Sequence, residues 1–357
     1  MSPMPIERSL QPPPARIVED GATQFGTFDA PIPAVNLIDA QPFALPLPRG
    51  LRWARLKEWQ AFQFGDERVF FNVALFNAKT LALAQVKAYD RRAKRKHLFE
   101  RKLAPWALRA PTQVLDSRMA WTGRDGATIR FHTHMDAGRI EVELDLPGSR
   151  DCPPIEGAVT AWTADAEPQV VSIPFAPSTG APTRGMVSHK GCFGLSGAIE
   201  LDGERFEFTR ERAFLLMDDH KGYYPYVMRW DWVTGGGVDE RGRKIGFNLT
   251  RNASLDPARY NENCVWVDGK LHLLPPIELQ RMAERSPEVW TVRDAEGKVA
   301  VDFEIELDGY VRVNALIAES RYRGPFGSVR GTLELSDGEQ IRVDGMFGMA
   351  EDFHLRC

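Results

Sequence analysis

The sequence predicts an all-β chain of antiparallel strands, folded as two related units in tandem with few short helices. Three observations carry that reading: period-two alternation of apolar and polar residues, turn residues between the alternating runs, and an internal repeat in the second half. Its 357 residues suit two domains or one large elongated β structure, and 43% hydrophobic with 26% charged residues is an ordinary globular composition.

The first 50 residues hold many of the 25 prolines, including PPP and the run from Ala44 to Pro48. Proline fixes φ and removes a backbone donor, so this part reads as a loosely ordered strap over the first domain rather than a helix or central strand. KEWQAFQFGDERVFFNVALFNAKTLALAQVKAYD alternates and is interrupted by GDE and NAK, which predicts a three-strand antiparallel meander. Seven basic residues follow: Arg91, Arg92, Lys94, Arg95, Lys96, Arg101 and Lys102. Without interleaved aromatics the run reads as a solvated helix or loop. ATIRFHTHMD and AGRIEVELDL form a hairpin, then GAVTAWTAD and PQVVSIPFA are short strands, and Ala176 to Gly185 reads as a long loop. His132 and His134 share a strand face, but no neighbouring pattern supplies further ligands, so no metal is expected there.

The repeat pairs GCFGLSGAIELDGERFEFTR from Gly191 with GPFGSVRGTLELSDGEQIRVDG from Gly324. Asp219 lies 25 residues after Gly194, and Asp352 lies 25 after Gly327, so each copy ends near acids and a histidine: Asp218, Asp219 and His220, then Glu351, Asp352 and His354. Two related β units follow, expected at 51–250 and, smaller, at 251–357, after the strap at 1–50.

Between the copies lies the stretch richest in polar groups set among aromatics, from Met217 to Asn263. On a strand from Val227, Trp230 and Trp232 would share one face and Arg229 and Asp231 the other, before Gly235, Gly236 and Gly237 break it. VWVDGKLHLLPPIEL is a further hairpin, turning at Asp268 and Gly269. Asp219 beside His220 suits an acid or base near neutral pH, with Asp219 orienting the imidazole and Tyr223 or Tyr224 donating to an oxygen. Arg229, Asn248, Asn261 and Asn263 would fix a polar head group while aromatics cover an apolar body, and Asp218, Tyr226, Trp230, Trp232 and Glu262 complete the candidate ligand-binding set. The equally available structural roles are turn capping, wall packing and satisfaction of loop backbone groups.

A net charge of −4 and pI near 6.0 offer no general attraction to nucleic acid or anionic lipid. The four cysteines, Cys152, Cys192, Cys264 and Cys357, are widely spaced and read as reduced thiols. No signal peptide is evident, and no apolar run reaches roughly 18 residues, so a soluble, cytoplasmic protein is expected, its oligomeric state unassigned. P-loop, GxSxG, HExxH and Rossmann patterns are missing.

DDHKGYYPYVMRWDW, GRKIGFNLTRN and NENCVWVDGKLHLLPP together resemble the bacterial DUF2804 proteins. More distantly, the tandem layout and terminal Asp-His are similar to two-domain lipocalin-like proteins of the hydroxyneurosporene synthase and AttH type. In hydratase-like relatives the comparable segment reads roughly G-Y-x-D-H-x-W-G. Only Asp219 and His220 match it here; the tyrosine follows the pair, and no Trp-Gly comes after. The resemblance implies paired lipocalin-like (calycin) barrels or half-barrels with a cavity at or between their mouths. It also implies a largely apolar small-molecule ligand, such as a lipid or isoprenoid, bound and transformed by cofactor-free hydration, isomerisation or cyclisation. The alternatives are a non-catalytic carrier and a sugar binder that stacks rings on Trp230, Trp232 and Trp266.

Overall fold

The computed structural model describes residues 8–149, 152–177, 183–315 and 318–356. Two large antiparallel sheets, each curled into a half-barrel, make up nearly all of it. The expected meander is present as Lys57–Gly65, Val69–Asn77 and Ala82–Asp90, and the basic run continues it as Arg95–Leu103. Arg91, Arg92 and Lys94 lie in the turn before it, as a loop reading expects, but from Arg95 the run is an edge strand and not the helix or loop expected. Charged side chains on an edge keep its unpaired backbone groups from recruiting another chain.

From the other side, Ser117–Thr122, Thr128–His134, Arg139–Leu146, Ile155–Trp162 and Arg184–Leu201 pair in succession, and Phe214–Gly222 closes the unit by pairing with Lys57–Gly65. The second sheet follows the same plan. Its meander of Val227–Val238, Lys244–Arg251, Cys264–Val267 and Lys270–Leu273 is rejoined at its first strand by Met346–Arg356, after Ile277–Met282, Val289–Asp294, Val299–Leu307 and Phe326–Glu334. The repeated sequence thus occupies equivalent hairpins in the two sheets, Arg184–Leu201 with Phe214–Gly222 and Phe326–Glu334 with Met346–Arg356.

The sheets divide the chain between Gly222 and Val227, about two strands earlier than the expected break at 250/251. Gly235, Gly236 and Gly237 do not break their strand, which runs through Val227–Val238. They allow close approach instead: a Cβ at Gly235 would lie 2.6 Å from the Phe347 carbonyl oxygen, and one at Gly236 lies 2.6 Å from that of Ile245.

Both half-barrels are filled by their own side chains, Phe62, Phe64, Phe71, Phe131 and Leu215 in the first and Val233, Phe247, Trp290 and Phe303 in the second. Their outer faces meet through a third cluster, with Phe70, Tyr89, Phe214 and Leu216 against Trp232, Trp266, Phe326 and Phe347. Lys57–Gly65 and Phe214–Gly222 are consequently buried on both faces along their full length. Gly246 marks the tightest part of this seam, because a Cβ there would lie 2.3 Å from Cys192 Sγ. Gly246→Ala is expected to lower stability by about 1–3 kcal/mol through overpacking. A urea midpoint equal to that of the parent would show that the two sheets do not approach so closely.

The proline-rich start is packed rather than loose. Ile17, Ile32 and Leu37 are fully buried in a cluster with Val170, Val187 and Tyr223, and Gly26–Phe28 pairs with Gln169–Phe175. A short helix, Arg49–Arg55, leads into the first meander strand. Residues 1–7, 178–182 of the expected Ala176 to Gly185 loop, and Cys357 lie outside the described residues. No helix among the described residues is long and apolar enough to cross a membrane. Cys152, Cys192 and Cys264 are buried and free.

Candidate functional site

A cavity of about 440 Å³ lies between the half-barrels, where their outer faces part. Period-two alternation delivers its lining: Trp59, Ala61 and Gln63 from one strand, Asn72, Ala74 and Phe76 from the next, then Leu83, Gln85 and Lys87. The second unit contributes Trp230, Trp232, Glu351 and Phe353. Asp218 and His220, two apart on Phe214–Gly222, face the same space.

His220 is the centre of a buried charge cluster. Its Nε2 lies 2.9 Å from Asp218 Oδ1, 3.0 Å from Ser188 Oγ and 3.2 Å from Glu262 Oε1. Lys190 pairs with Asp218 and lies 3.5 Å from Glu262. Trp59 stacks on the imidazole at 4.6 Å and donates its indole N–H to Asp218 Oδ2 at 3.1 Å. Two cations and two carboxylates so balance at buried positions, where each would be costly alone. Burial opposes the charge on His220, but Asp218 and Glu262 outweigh it and hold its pKa at about 9. Burial would raise the two acids, yet Lys190 and His220 draw Glu262 down to about 2 and Asp218 well below the usual range. The imidazole is therefore cationic at neutral pH. Its Nδ1–H then donates to Tyr224 Oη, 3.3 Å away, and the Tyr224 hydroxyl has the weak acceptor Met186 Sδ at 3.3 Å. Burial holds the phenol pKa well above its ordinary value, so this hydroxyl stays protonated. A ligand oxygen in the cavity would be a better acceptor than a thioether, and the chain from His220 to Tyr224 can hand it a proton.

Of the expected site residues, Asp218, His220, Tyr224, Trp230, Trp232 and Glu262 come together at the cavity. Asp219 does not orient His220. Neighbours on a strand point to opposite faces, and Asp219 lies instead 3.8 Å from His189 Nδ1. Tyr223 packs edge-on against Phe43 under the strap, away from the cavity. Tyr226 is exposed. Asn248 accepts the Trp232 indole N–H at 2.7 Å and donates to the Glu262 carbonyl at 2.8 Å, so it supports the wall from behind. Asn263 accepts the Thr250 N–H and donates to the Pro275 carbonyl, while Asn261 holds the Asn263 N–H; both are loop braces. Arg229 faces a second, more polar cleft of about 720 Å³, shared with Asp231, Arg281, Asp352 and His354. Sequence reasoning missed Lys190 and Trp59, which reach the site through strand pairing, and Lys87, Tyr322 and Glu351 on the opposite wall.

His132 and His134 do have a third group beside them. Asp116 Oδ1 lies 3.3 Å from His132 Nε2 and 3.1 Å from His134 Nδ1, brought there by the strand that pairs with theirs. The Arg118 guanidinium, 3.3 Å from the same His132 Nε2, already uses that lone pair when the imidazole is neutral.

Fold and site define a class: tandem antiparallel half-barrels enclosing a largely apolar cavity with a buried ionic cluster on one wall. Residues 11–357 match the family described as "Domain of unknown function (DUF2804)", and the chain belongs to that family. Similar solved structures include CghA, 14% identical with a TM-score of 0.47 over 84% of this chain and 88% of its own. Kievitone hydratase from Nectria haematococca is 9% identical, with a TM-score of 0.45 over 89% and 94%. A putative AttH from Nitrosomonas europaea is 13% identical, with a TM-score of 0.38 over 85% and 92%. No curated protein sequence matches the chain.

Proposed function

We propose that the protein binds a largely apolar small molecule between its half-barrels and transforms it by cofactor-free acid catalysis. The observation that carries this reading is the cationic His220, held by Asp218 and Glu262 on one wall of a cavity that Trp59, Trp230, Phe76 and Phe353 also line. A proton passes from His220 Nδ1 to Tyr224 Oη as the Tyr224 proton moves to a ligand oxygen or unsaturated carbon. Hydration, isomerisation and cyclisation of an isoprenoid or lipid can all begin with such a transfer, which contributes roughly 10²- to 10⁴-fold in rate. Both carboxylates are already engaged by cations, so the site favours an acid over a base.

A non-catalytic carrier would use the same cavity. Sugar binding finds less support, because Trp232 and Trp266 are buried and Trp230 has one face stacked on Phe353 at 3.9 Å, so none of the three is displayed on an open groove. Native mass spectrometry of protein from its own host, followed by organic extraction, should release an apolar metabolite. With that molecule as substrate, Tyr224→Phe is expected to retain binding and lose at least 100-fold in turnover. A host-purified protein that carries and binds no apolar molecule would overturn the reading. Turnover undiminished in Tyr224→Phe would remove Tyr224 from the relay, and ligand binding with no wild-type turnover would identify a carrier.

A further inference from the structure

The wall opposite His220 holds a lysine whose surroundings are incomplete. Lys87 is 5% exposed, lines the cavity, and projects there because Leu83, Gln85 and Lys87 share one face of Ala82–Asp90. Three other buried lysines have carboxylate partners, Lys79 and Lys221 pairing with Glu58 and Lys190 with Asp218, while Lys57 donates to the Ala78 carbonyl. Among the described residues Lys87 forms no ion pair. Its one hydrogen-bond partner is Tyr322 Oη at 2.7 Å, although an ammonium carries three donors. The Tyr322 hydroxyl in turn donates to Glu351 Oε1 at 2.9 Å, and Trp230 Nε1 donates to Glu351 Oε2 at 2.9 Å, so that carboxylate is occupied. Burial pushes the Lys87 ammonium down to about 8, with Lys96 adding to that shift and Glu351 and Glu100 pulling partly against it. A buried cation with no carboxylate in direct contact is expensive, and a cavity that keeps one is suited to an anionic partner from outside.

Trp59 and Trp230 separate the two polar ends. Their rings lie 6.0 Å apart, with Trp59 hydrogen-bonded to Asp218 at one end and Trp230 to Glu351 at the other. A molecule filling the space would therefore meet a proton donor, an aromatic middle and an ammonium in turn.

We propose that Lys87 anchors a carboxylate of the ligand, so that the cavity takes an elongated, largely apolar carboxylic acid with its other end toward His220 and Tyr224. This rests on the apolar-ligand reading above and adds the acidic group to it. Decanoate, decan-1-ol and methyl decanoate share one chain and differ at the head, which makes them suitable probes for titration calorimetry. Decanoate is expected to bind at least tenfold more tightly than the alcohol or the ester. Lys87→Met should bring decanoate to the affinity of the alcohol while leaving the alcohol unchanged, with a Tm at or above wild type showing that the variant folds. Tyr322→Phe should keep most of the acid preference, since the ammonium remains. Equal binding of acid and alcohol to the wild type, or an acid preference that survives in Lys87→Met, would overturn the anchor and leave the apolar cavity standing. Failure of all three probes to bind would overturn the anchor and the apolar-ligand reading together.

Discussion

Lys190→Met should cost about 3–5 kcal/mol of unfolding free energy, among the largest losses expected for any single substitution here. The methionine fills much of the lysine volume, so the loss is electrostatic. Asp218 and Glu262 would face His220 alone, two carboxylates against one cation, at positions 8% and 2% exposed. Removing Glu262 as well tests that explanation. The double substitution Lys190→Met with Glu262→Gln leaves one cation beside one carboxylate and should regain most of the loss, giving a strongly non-additive cycle by urea denaturation. Additive effects of the two changes would mean that the cluster is wet enough for its charges to act independently, and the acid strength argued for His220 would lose its basis.

Much of this arrangement is legible in the residues once the period-two rule is applied strictly. The three-strand meander, the 128–146 hairpin and the turn at Asp268 and Gly269 are where alternation and turn chemistry place them. The repeat anticipates the equivalent hairpins. The same rule, applied to MDDHKG, pairs His220 with Asp218 and sends Asp219 to the other face. Proximity in sequence made Asp219 look like the partner, whereas on a strand the neighbour two residues away is the one that shares an environment.

Other parts depend on long-range pairing that no local pattern encodes. Lys190 enters the cluster because it stands opposite Asp218 in the register of Arg184–Leu201 with Phe214–Gly222, and Trp59 because it stands opposite His220 on the other side. The triple glycine reads as a break by composition, yet it lies where the paired strands of the second sheet come too close for a Cβ at Gly235 and Gly236. The basic run looks solvated, as it is in part, but its edge position follows from the sheet continuing past Ala82–Asp90. The cavity belongs to neither unit alone, so the charge on its walls becomes visible only when both outer faces are brought together.

Between pH 6.5 and 8 the protein should lose about 2 kcal/mol of stability through His220 alone. Folding raises this histidine from 6.5 to about 9, because Asp218 and Glu262 outweigh the cost of its burial. Its stabilisation is accordingly complete below 6.5 and disappears as the pH rises through 9. In the interval the folded state holds a proton that the unfolded chain has released, which gives a slope near −1.4 kcal/mol per pH unit. Lys87, lowered to about 8 by burial, works in the opposite direction above that value, so the window below pH 8 isolates His220. On the acid side His189 dominates. Burial, with Lys221 and His220 nearby, lowers it to about 3, so stability also falls as the pH drops below 6.5 and unfolded His189 takes up a proton that the folded form refuses. Asp218 and Glu262, both held below their ordinary values, add to that loss below about 4.5. Urea unfolding from pH 4 to 8 should therefore peak near pH 6.5. His220→Gln should flatten the alkaline limb while preserving the acid one, and His189→Gln, whose amide oxygen can still accept the Ile32 N–H, should do the reverse. An alkaline limb unchanged in His220→Gln would mean that the imidazole is neutral in the folded protein, and with it the acid-catalysed reading would fail.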